Sequence, residues 1–367
     1  MKFSCSRAIL TESVATAGHA VPSRTSNSIL EGVLLELHED QLQITGFNTE
    51  TAVRCTLPVQ GEQEGRIVLP FDTFRDILRK LGGSDVHIEV NNESVVIAAQ
   101  DSSFNILGMK AENYPTVSFI KGDETVSIPQ KTLRSLINQT VFAVSQSETR
   151  PVHTGCIFNI EQNVIEVVGV DGYRLALRRE PFEGSGGNHQ FVVPGKTLID
   201  VSRIFGDREI TVELFFSGKN ILFAAENIMI LTRTLEGEFL NYKTTIPTTH
   251  NLTARIDVKM FVECVERASL LISERQRSPV RIAFGESEAK ITCSSPLGRL
   301  DDRMPIELEG GAIEMGFNDR FLLDAVKNTG ESELRFEMTA ASSPLVIKPV
   351  EGDHFVFLVL PVRMKTD

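Results

Sequence analysis

The chain has no tryptophan, no closely spaced cysteine pair and no long apolar run. Its five cysteines are odd in number and far apart, which excludes a disulfide framework or zinc site and indicates reduced thiols in a cytosol. They are Cys5, Cys55, Cys156, Cys264 and Cys293. The longest apolar run, near Phe355 to Leu360, is far too short to cross a bilayer. No apolar segment follows the N-terminus, so the sequence predicts neither a signal peptide nor a membrane anchor.

Positive charge is also scarce. The chain has 37 Lys and Arg against 49 Asp and Glu, a formal net charge of −12. That total argues against nucleic-acid binding, because nonspecific affinity for DNA comes from cations that neutralise phosphates. The distribution of charge points the other way. The helical segments predicted below hold 12 basic and 9 acidic residues, a net +3, which leaves −15 on the rest.

What the chain does have is an internal repeat with an offset of about 123 residues. Phe3 aligns with Val126, and Gly46 aligns with Gly169, with no gap over more than forty positions. A second pattern, in which a short strand is followed by a turn and a helix, recurs from Arg66, Gln190 and Ala312. A repeat of this length indicates three copies of one structural unit. Pro- and Gly-containing stretches separate the copies, so the predicted domains are 1–122, 123–248 and 249–367.

Hydrophobic spacing assigns the elements. Apolar residues at every third or fourth position predict amphipathic helices at residues 6–21, 71–81, 129–140, 194–205, 257–272 and 317–328. Strict alternation predicts half-buried strands around residues 86–90, 212–216 and 334–338. Each unit then has the order strand, helix and several strands, twice. Runs of strands with few helices favour an α+β class, with two helices packed on antiparallel sheets in each domain.

Catalytic motifs are missing as well. The sequence has no phosphate-binding loop, no H-E-x-x-H and no G-x-S-x-G, and its seven histidines are scattered. The cluster from Gly184 to Gly187 does not open a helix after a strand, so it is interpreted as a flexible loop and not a dinucleotide site. The run Asp171-Gly172-Tyr173-Arg174 is the strongest candidate for a catalytic cluster in the chain. Its spacing nevertheless favours a plain hairpin turn over a functional site. The sequence therefore predicts no enzyme activity, no cofactor and no metal.

Three motifs carry a resemblance to a known family. The segment Gly169–Ala176 reads GVDGYRLA, the linkers contain Glu112-Asn113-Tyr114-Pro115 and the run from Gly237 to Tyr242, and Leu360–Met364 reads LPVRM. In this order, within three repeats, the chain resembles the bacterial DNA polymerase III beta subunit family, the sliding clamps, over essentially its full length. The resemblance implies a DNA polymerase processivity factor that forms a head-to-tail homodimer, a closed ring around duplex DNA without sequence specificity.

The resemblance also implies partners and residues. The DNA polymerase III alpha subunit, the clamp loader, other polymerases and repair factors would dock short linear peptides at the nucleoid in the cytoplasm. The peptide pocket would use Val170, Gly172, Tyr173, Arg174, Leu175, Pro247, Pro344, Leu358, Leu360 and Met364. The dimer interface would use Phe104 and Ile106 of one subunit against Leu270 and Leu271 of the other, although these could equally be core residues.

Basic residues that recur after the first helix of each unit, or lie on a helix, are the candidate DNA contacts. They are Arg24, Arg150, Lys196, Arg203, Arg275 and Arg277. A mildly basic lumen inside an acidic ring would hold DNA by topology, so the negative total charge is compatible with sliding.

The sequence departs from the family pattern in three places. Val170 replaces a more usual Thr, His153 stands where an aliphatic residue commonly lines the pocket, and residues 365–367 extend the usual ending. These departures bear on the peptide preference. Two other hypotheses stay open at this point, a peptide-binding repeat scaffold that never encircles DNA and an enzyme with an unrecognised site. The molecular mass in solution separates the first from a ring, because a monomer cannot encircle DNA.

Overall fold

The computed structural model describes residues 1–122, 124–161, 163–181, 187–272 and 278–364. Within these ranges the six α-helices all lie in the segments predicted from hydrophobic spacing. They are α1 (Arg7–Ala17), α2 (Phe71–Lys80), α3 (Gln130–Asn138), α4 (Gly195–Phe205), α5 (Val258–Ser269) and α6 (Asp319–Lys327). The cluster at Gly184, Ser185 and Gly186 lies outside the described residues. No helix in the described ranges is long and apolar enough to cross a membrane.

Short 3-10 helices connect several of these elements. They are Gly18–Ala20, Ser28–Glu31, Ala111–Asn113, Val141–Ala143, Pro151–Thr154 and Tyr242–Thr244. All six α-helices are shorter than the predicted segments, and the first and fifth differ the most. The first α-helix ends at Ala17 and continues only as a 3-10 turn, because the chain meets Gly18 and then Pro22, which disfavour further helix. The fifth ends at Ser269, so Leu270 and Leu271 follow the helix instead of belonging to it.

The strands follow the same order in all three repeats, except that a short strand in the first and third, Gln60–Gln63 and Glu307–Glu309, has no counterpart among the described residues of the second. The first repeat contains β1 (Lys2–Ser6), β2 (Gly32–His38), β3 (Gln41–Phe47), β4 (Thr51–Pro58), β5 (Gln60–Gln63), β6 (Gly65–Pro70), β7 (Asp85–Asn91), β8 (Ser94–Ala99) and β9 (Ser102–Leu107). The second contains β10 (Thr125–Pro129), β11 (Gly155–Glu161), β12 (Val164–Val170), β13 (Arg174–Pro181), β14 (His189–Pro194), β15 (Thr211–Ser217), β16 (Asn220–Ala225) and β17 (Ile228–Arg233).

The third repeat contains β18 (Leu252–Asp257), β19 (Val280–Phe284), β20 (Glu288–Ser295), β21 (Gly298–Pro305), β22 (Glu307–Glu309), β23 (Ile313–Phe317), β24 (Glu333–Met338), β25 (Leu345–Pro349) and β26 (Phe355–Val359). The predicted order of strand, helix and strands, twice per unit, is confirmed. Strict alternation is confirmed on β7, where Val86, Ile88 and Val90 are buried and their neighbours are exposed. It is only partly right on β15, where Phe216 is half-buried, and it is wrong at the end of β24, where Glu337 is buried between Phe336 and Met338 because it pairs with Lys348. The α+β class follows from these elements.

The chain folds as two compact units. The first comprises residues 1–131 and 200–234, with a sheet in the order β5-β1-β7-β8-β9 and a sheet in the order β10-β15-β16-β17-β4-β3-β2-β6. A core that includes Leu10, Val14, Phe74 and Leu78 packs α1 and α2 against these strands.

The second unit comprises residues 132–199 and 235–367. Its sheets run β14-β11-β12-β13-β26-β25-β24-β18-β22 and β21-β20-β19-β23. Its main core packs α5 and α6 through Phe261, Val265 and Leu322. All pairings of these strands are antiparallel. The predicted domain ranges 1–122, 123–248 and 249–367 stay a prediction.

Sheets cross from one repeat to the next at equivalent strands. In the first unit β17 of the second repeat pairs with β4 of the first, with Ile228 opposite Cys55. In the second unit β26 of the third repeat pairs with β13 of the second, with Phe355 opposite Arg178. Cys55 and Arg178 are themselves equivalent at the 123-residue offset, so both junctions use one register.

A glycine in each of two equivalent strands lets the chain pack closely. A Cβ atom on Gly46 of β3 would lie 2.1 Å from the carbonyl oxygen of Ala17, and one on Gly169 of β12 would lie 2.3 Å from that of Thr140. Ala17 is the last residue of α1 and Thr140 lies just after α3, so both carbonyls stand at the end of the first helix of their repeat. The aligned glycines are therefore explained by the approach of a backbone carbonyl that admits no side chain.

Replacing Gly46 with Ala should lower the free energy of unfolding by about 1–3 kcal/mol, because the added methyl group must displace a backbone carbonyl. Chemical denaturation of the purified protein measures this directly. Gly311→Ala is the control, since a Cβ there meets nothing within 4 Å. Equal stability of the two variants would contradict the close-approach explanation.

Candidate functional site

The candidate site begins with a row of apolar side chains across the second unit's large sheet. Val170 of β12 stands opposite Leu175 of β13, Leu175 stands opposite Leu358 of β26, and Leu358 stands opposite Val346 of β25. All four are nearly fully buried and belong to one hydrophobic cluster. We call these four residues the apolar row. Three of them were predicted pocket residues, and the repeat-to-repeat junction brings them together.

The turn between β12 and β13 forms one end of the row. Asp171 Oδ1 accepts hydrogen bonds from the backbone N–H groups of Tyr173, at 2.9 Å, and Arg174, at 3.1 Å. Gly172 has φ of +89°, a conformation that favours glycine, and a Cβ there would meet nothing within 4 Å. The hairpin turn predicted from Asp171-Gly172 is confirmed. Its tip borders open space, so a ligand can approach the backbone closely.

Arg174 is held inward and presents little surface. Its Nε donates to Asp171 Oδ2 at 2.9 Å and its Nη1 to Asp324 Oδ2 at 2.5 Å. The guanidinium carbon lies 4.6 Å from the ring centroid of Phe321 and 5.7 Å from that of Phe142. The Arg174 side chain is only 10% exposed, so little of its aliphatic stem is open to a ligand. Arg174 thus supports the hairpin turn by joining Asp171 to Asp324 on α6.

Tyr173 provides the exposed aromatic surface. It is 64% exposed, and its ring stacks on Phe321 with centroids 6.0 Å apart. Phe321 and Asp324 lie one helical turn apart on α6, and sequence reasoning did not assign them to the site. The i, i+3 spacing on one helix face was the available signal. It could not show that the face meets the hairpin turn.

The C-terminal segment continues the sheet beyond β26. The N–H of Leu360 donates to the carbonyl of Tyr173 at 2.9 Å, and the N–H of Val362 donates to that of Gly316 at 2.9 Å. Leu360 is 37% exposed and thus lies beside the hairpin turn with a free apolar surface. Met364 lies against Gly316 of β23, where a Cβ would be 2.9 Å from its Cγ. Its recorded contact is with this strand and not with the apolar row.

The linker after β17 supplies the other side. Ile246 packs against the cluster that contains the apolar row, and Pro247 and Pro344 are both half-buried. Tyr242 belongs to the same cluster and is 5% exposed. Burial and the hydrogen bond to Glu166 raise the pKa of Tyr242, so its hydroxyl stays protonated.

A cleft of about 560 Å³ opens beside this site. It lies between the 3-10 helix Pro151–Thr154 and the linker residues 236–241, and its lining includes Arg150, His153 and Leu240. The His153 ring meets the Phe239 ring edge-on, with centroids 5.3 Å apart. Burial, with a smaller effect of Arg150, lowers the pKa of His153, which favours a neutral imidazole. This departure from the family pattern therefore places an uncharged ring next to the site.

The candidate DNA contacts are exposed cations. Arg24, Arg150, Lys196 and Arg203 are all exposed, and none forms an ion pair with the residues that the structure describes. Arg275 and Arg277 lie outside the described residues. By contrast, strand cations such as Lys290, which is 2.8 Å from Asp301, are paired.

The residues predicted at a dimer interface lie on two separate surfaces. Phe104 is 39% exposed on β9, and Ile106 on the same strand is partly buried against the first unit's core. Leu270 is 79% exposed after α5, while Leu271 packs partly against the second unit's core. Leu107 and Leu297, at 74% and 71% exposed, were not predicted. Their exposure is visible only in the folded chain.

Three family models match the chain in succession. They describe the N-terminal, central and C-terminal domains of the DNA polymerase III beta subunit, and they match residues 1–118, 127–241 and 243–363. A beta sliding clamp of Staphylococcus aureus is 31% identical over 355 residues, which cover 94% of each chain.

Solved structures agree with these matches. The DNA polymerase sliding clamp of Bacillus subtilis is 32% identical with a TM-score of 0.96 and full coverage of both chains. The DNA polymerase III subunit beta of Pseudomonas aeruginosa is 25% identical with a TM-score of 0.94, covering 99% of this chain and 100% of that one.

Asp171 should hold the hairpin turn mainly through its Oδ1 acceptor. Asp171→Ala removes two backbone hydrogen bonds and the ion pair with Arg174, and should lower the free energy of unfolding by about 1–3 kcal/mol. Asp171→Asn keeps an acceptor oxygen and should lose less than half as much. Chemical denaturation compares the two variants. Equal losses would mean that the ion pair, and not the backbone acceptor, holds the turn.

Proposed function

Because the chain belongs to the DNA polymerase III beta subunit family, the beta sliding clamps, which are processivity factors and not enzymes, we propose that two copies close head to tail into a ring around duplex DNA. The ring holds DNA polymerase III alpha subunit, the clamp loader and other polymerases and repair factors in turn. It does so through short peptides that bind at the apolar row, Tyr173, Leu360 and Pro247, a surface we call the peptide site. We place this activity at the nucleoid, in the cytoplasm.

The single observation that carries the dimer is a junction that recurs twice within the chain. The strands β4, β13 and β21 stand at the same position in the three repeats. Two of them, β4 and β13, each pair with the last strand of the following repeat. The third copy, β21, has β20 on one side and no strand partner among the described residues on the other. The last strand of the first repeat, β9, likewise pairs only with β8 in the described part of the chain. Two copies of the chain satisfy both edges if β9 of one subunit joins β21 of the other.

The repeated register fixes how these edges meet. Cys55, Arg178 and Asp302 stand at the same place before the prolines that end β4, β13 and β21. Ile228 and Ser102 each follow a two-residue hairpin turn at the start of β17 and β9. Since Ile228 stands opposite Cys55, Ser102 should stand opposite Asp302 of the partner, and antiparallel pairing then sets the rest.

This register brings exposed apolar residues together. It places Leu107 opposite Leu297, two of the most exposed leucines in the described chain. It also places Ile106 opposite Gly298, where a Cβ would be 3.8 Å from Leu271. Phe104 falls opposite Leu300, which packs partly against the second unit's core. The proposed contact of Phe104 and Ile106 with the segment at Leu270 and Leu271 thus gains support from an argument independent of family resemblance.

The distribution of exposed cations supports the proposal that the ring encircles DNA. Exposed helix cations without an ion pair among the described residues are Arg79, Lys80, Lys131, Lys196, Arg203 and Lys259. The proposed contacts Arg24 and Arg150 follow the first helices of their repeats, and Arg275 and Arg277 complete the proposed set. Cations free of carboxylate partners remain available to phosphates, which gives weak, salt-sensitive contact that is compatible with sliding.

The peptide site suits a linear motif with one or two apolar anchors. The apolar row forms a buried floor, Tyr173 and Leu360 add exposed apolar surface, and Gly172 leaves the approach open. Filling one anchor position removes about 60–100 Å² of apolar area, worth about 1.5–2.5 kcal/mol at roughly 25 cal/mol per Å². Ordering of the peptide offsets most of this, so we expect affinities on the order of micromolar.

Leu271→Asp should convert the dimer to a folded monomer, because closure would bury an unpaired carboxylate at a cost of several kcal/mol. Sedimentation or light scattering gives the mass in solution. Leu240→Asp, which changes a 38% exposed leucine of the linker, is the matched control and should stay dimeric. A dimer in the Leu271 variant would refute the interface placement. A monomeric wild type would favour a peptide-binding scaffold over a ring.

Leu175→Asp should abolish binding of a fluorescent peptide that carries a Gln and a Leu-Phe pair, because it puts a charge into the apolar row. Leu360→Asp tests the same site at a half-exposed position, and should weaken binding about tenfold or more without disturbing the core. Deletion of residues 360–367 should behave alike.

Val164→Asp, at the far end of β12 and 43% exposed, is the control. Fluorescence anisotropy measures the affinities, and the dimer mass should be unchanged in all point variants. Wild-type affinity in both the Leu175 and Leu360 variants would place the peptide elsewhere.

A further inference from the structure

We propose that Tyr242 is a positioning residue for the peptide site: its buried hydroxyl, held by Glu166 and Asn159, fixes the turn that carries Ile246 and Pro247 on the rim. The proposal rests on the proposed peptide site, and it names what holds that site in shape. Tyr242 itself touches no ligand in this account. It acts through the backbone that it anchors.

The anchor is a row of polar side chains across four strands. Gln190 stands opposite Asn159, Asn159 opposite Glu166, and Glu166 opposite Arg179, on β14, β11, β12 and β13. Gln190 Nε2 donates to Asn159 Oδ1 at 2.7 Å, and Arg179 Nε donates to Glu166 Oε2 at 2.6 Å. Glu166 and Asn159 are buried, so the row depends on these internal partners for its hydrogen bonds.

Tyr242 completes this row from the linker. Its hydroxyl donates to Glu166 Oε1 and accepts from Asn159 Nδ2, the latter at 2.7 Å. The Tyr242 ring lies in the same hydrophobic cluster as the apolar row. A buried hydroxyl with one donor and one acceptor partner has one preferred position, because a shift of the ring would break both bonds.

The backbone transmits that position to the rim. The carbonyl of Tyr242 accepts from the N–H of Thr245 at 3.0 Å and from that of Ile246 at 3.3 Å. Ile246 then packs on the cluster and is followed directly by Pro247, whose ring limits the backbone. From the hydroxyl to the rim there is thus one tight turn with no freely rotating segment.

The same polar row is also bonded to the segment that leads into β26, the strand that carries Leu358. Arg179 Nη1 donates to Asp353 Oδ2 at 3.2 Å, and the N–H of Arg179 donates to the carbonyl of His354 at 2.7 Å. These bonds close one end of the junction between β13 and β26, and Leu175 and Leu358 stand opposite each other near its other end. Side chains two residues apart on a strand share a face, so Glu166 lies on the same face of β12 as Val170. The polar row therefore connects the apolar row to the turn that carries Ile246 and Pro247.

The first repeat provides a natural comparison. Tyr114 occupies the corresponding place in the earlier linker and is also buried, but its hydroxyl bonds to backbone groups: it donates to the carbonyl of Thr45 at 3.3 Å and accepts from the N–H of Phe47. It lies in the first unit and contributes to no part of the peptide site. Removing its hydroxyl makes the same chemical change as in Tyr242 without the proposed consequence.

The test compares peptide affinity in the full-length dimer. Tyr242→Phe should lower the affinity for the fluorescent peptide about 5- to 10-fold. This is the effect expected when about one hydrogen bond that positions the site is lost. Tyr114→Phe should stay within about twofold of wild type, since its lost hydroxyl bond lies outside the site. Anisotropy is measured at a temperature where thermal unfolding curves show every variant fully folded.

Conservative replacement separates positioning from loss of stability. Glu166→Gln keeps an acceptor for Tyr242 and should retain affinity within about threefold, whereas Glu166→Ala should match Tyr242→Phe. The double variant Tyr242→Phe with Glu166→Ala should bind the peptide no more weakly than either single variant, because both substitutions remove the same hydrogen bond.

Equal affinity of Tyr242→Phe and Tyr114→Phe overturns the positioning role, as does full additivity in the double variant. Leu175→Asp is carried through the same titration. If it binds as wild type, the peptide site itself is misplaced and both proposals fall. If it does not bind while Tyr242→Phe binds normally, the site stands and only the role of Tyr242 is lost.

Discussion

An open sheet edge is the constraint from which the rest of this structure follows. The N–H and C=O groups along an unpaired edge need partners, and an exposed edge invites pairing with another strand. Within the chain, β17 covers the edge at β4 and β26 covers the edge at β13, with equivalent residues opposite each other. Among the described residues, the equivalent edge at β21 and the outer side of β9 have no strand partner. The proposed ring is the closed arrangement in which a second copy covers both.

The same junction also builds the peptide site. Leu175 and Leu358 stand opposite each other because β13 pairs with β26, and the turn at Gly172 is the end of that strand pair. If peptides bind at the proposed site, partner recognition depends on the strand pairing that holds the repeats together. Among the described residues, six exposed helix cations such as Lys196 form no ion pair, whereas strand cations such as Lys290 are paired with carboxylates. In the proposed ring, a strongly acidic chain would therefore retain DNA by enclosure, with little phosphate affinity.

Sequence patterns predict the elements well, because helix and strand periodicities are local. The helix around Phe74 and Leu78 and the alternation of Val86 and Ile88 needed no tertiary information. Contacts between distant residues were not accessible in this way. Arg174 meets Asp324 only after strands from two repeats pair, and Tyr242 meets Glu166 only when the linker after β17 folds back onto β12. For the same reason the motif singled out Arg174 but could not show that its guanidinium turns toward Asp324 and Phe321 on α6.

Enclosure of DNA is the central claim, and a covalently closed ring tests it most directly. Leu107→Cys with Leu297→Cys should form disulfides across both proposed interfaces, while the five native cysteines are buried. The variant is loaded onto nicked circular DNA by a clamp loader, oxidised, and passed through a sizing column at high salt. The account predicts that the protein stays with the circle and is released once the DNA is cut to a linear form. Release from the intact circle, or retention on the linear product, would contradict it.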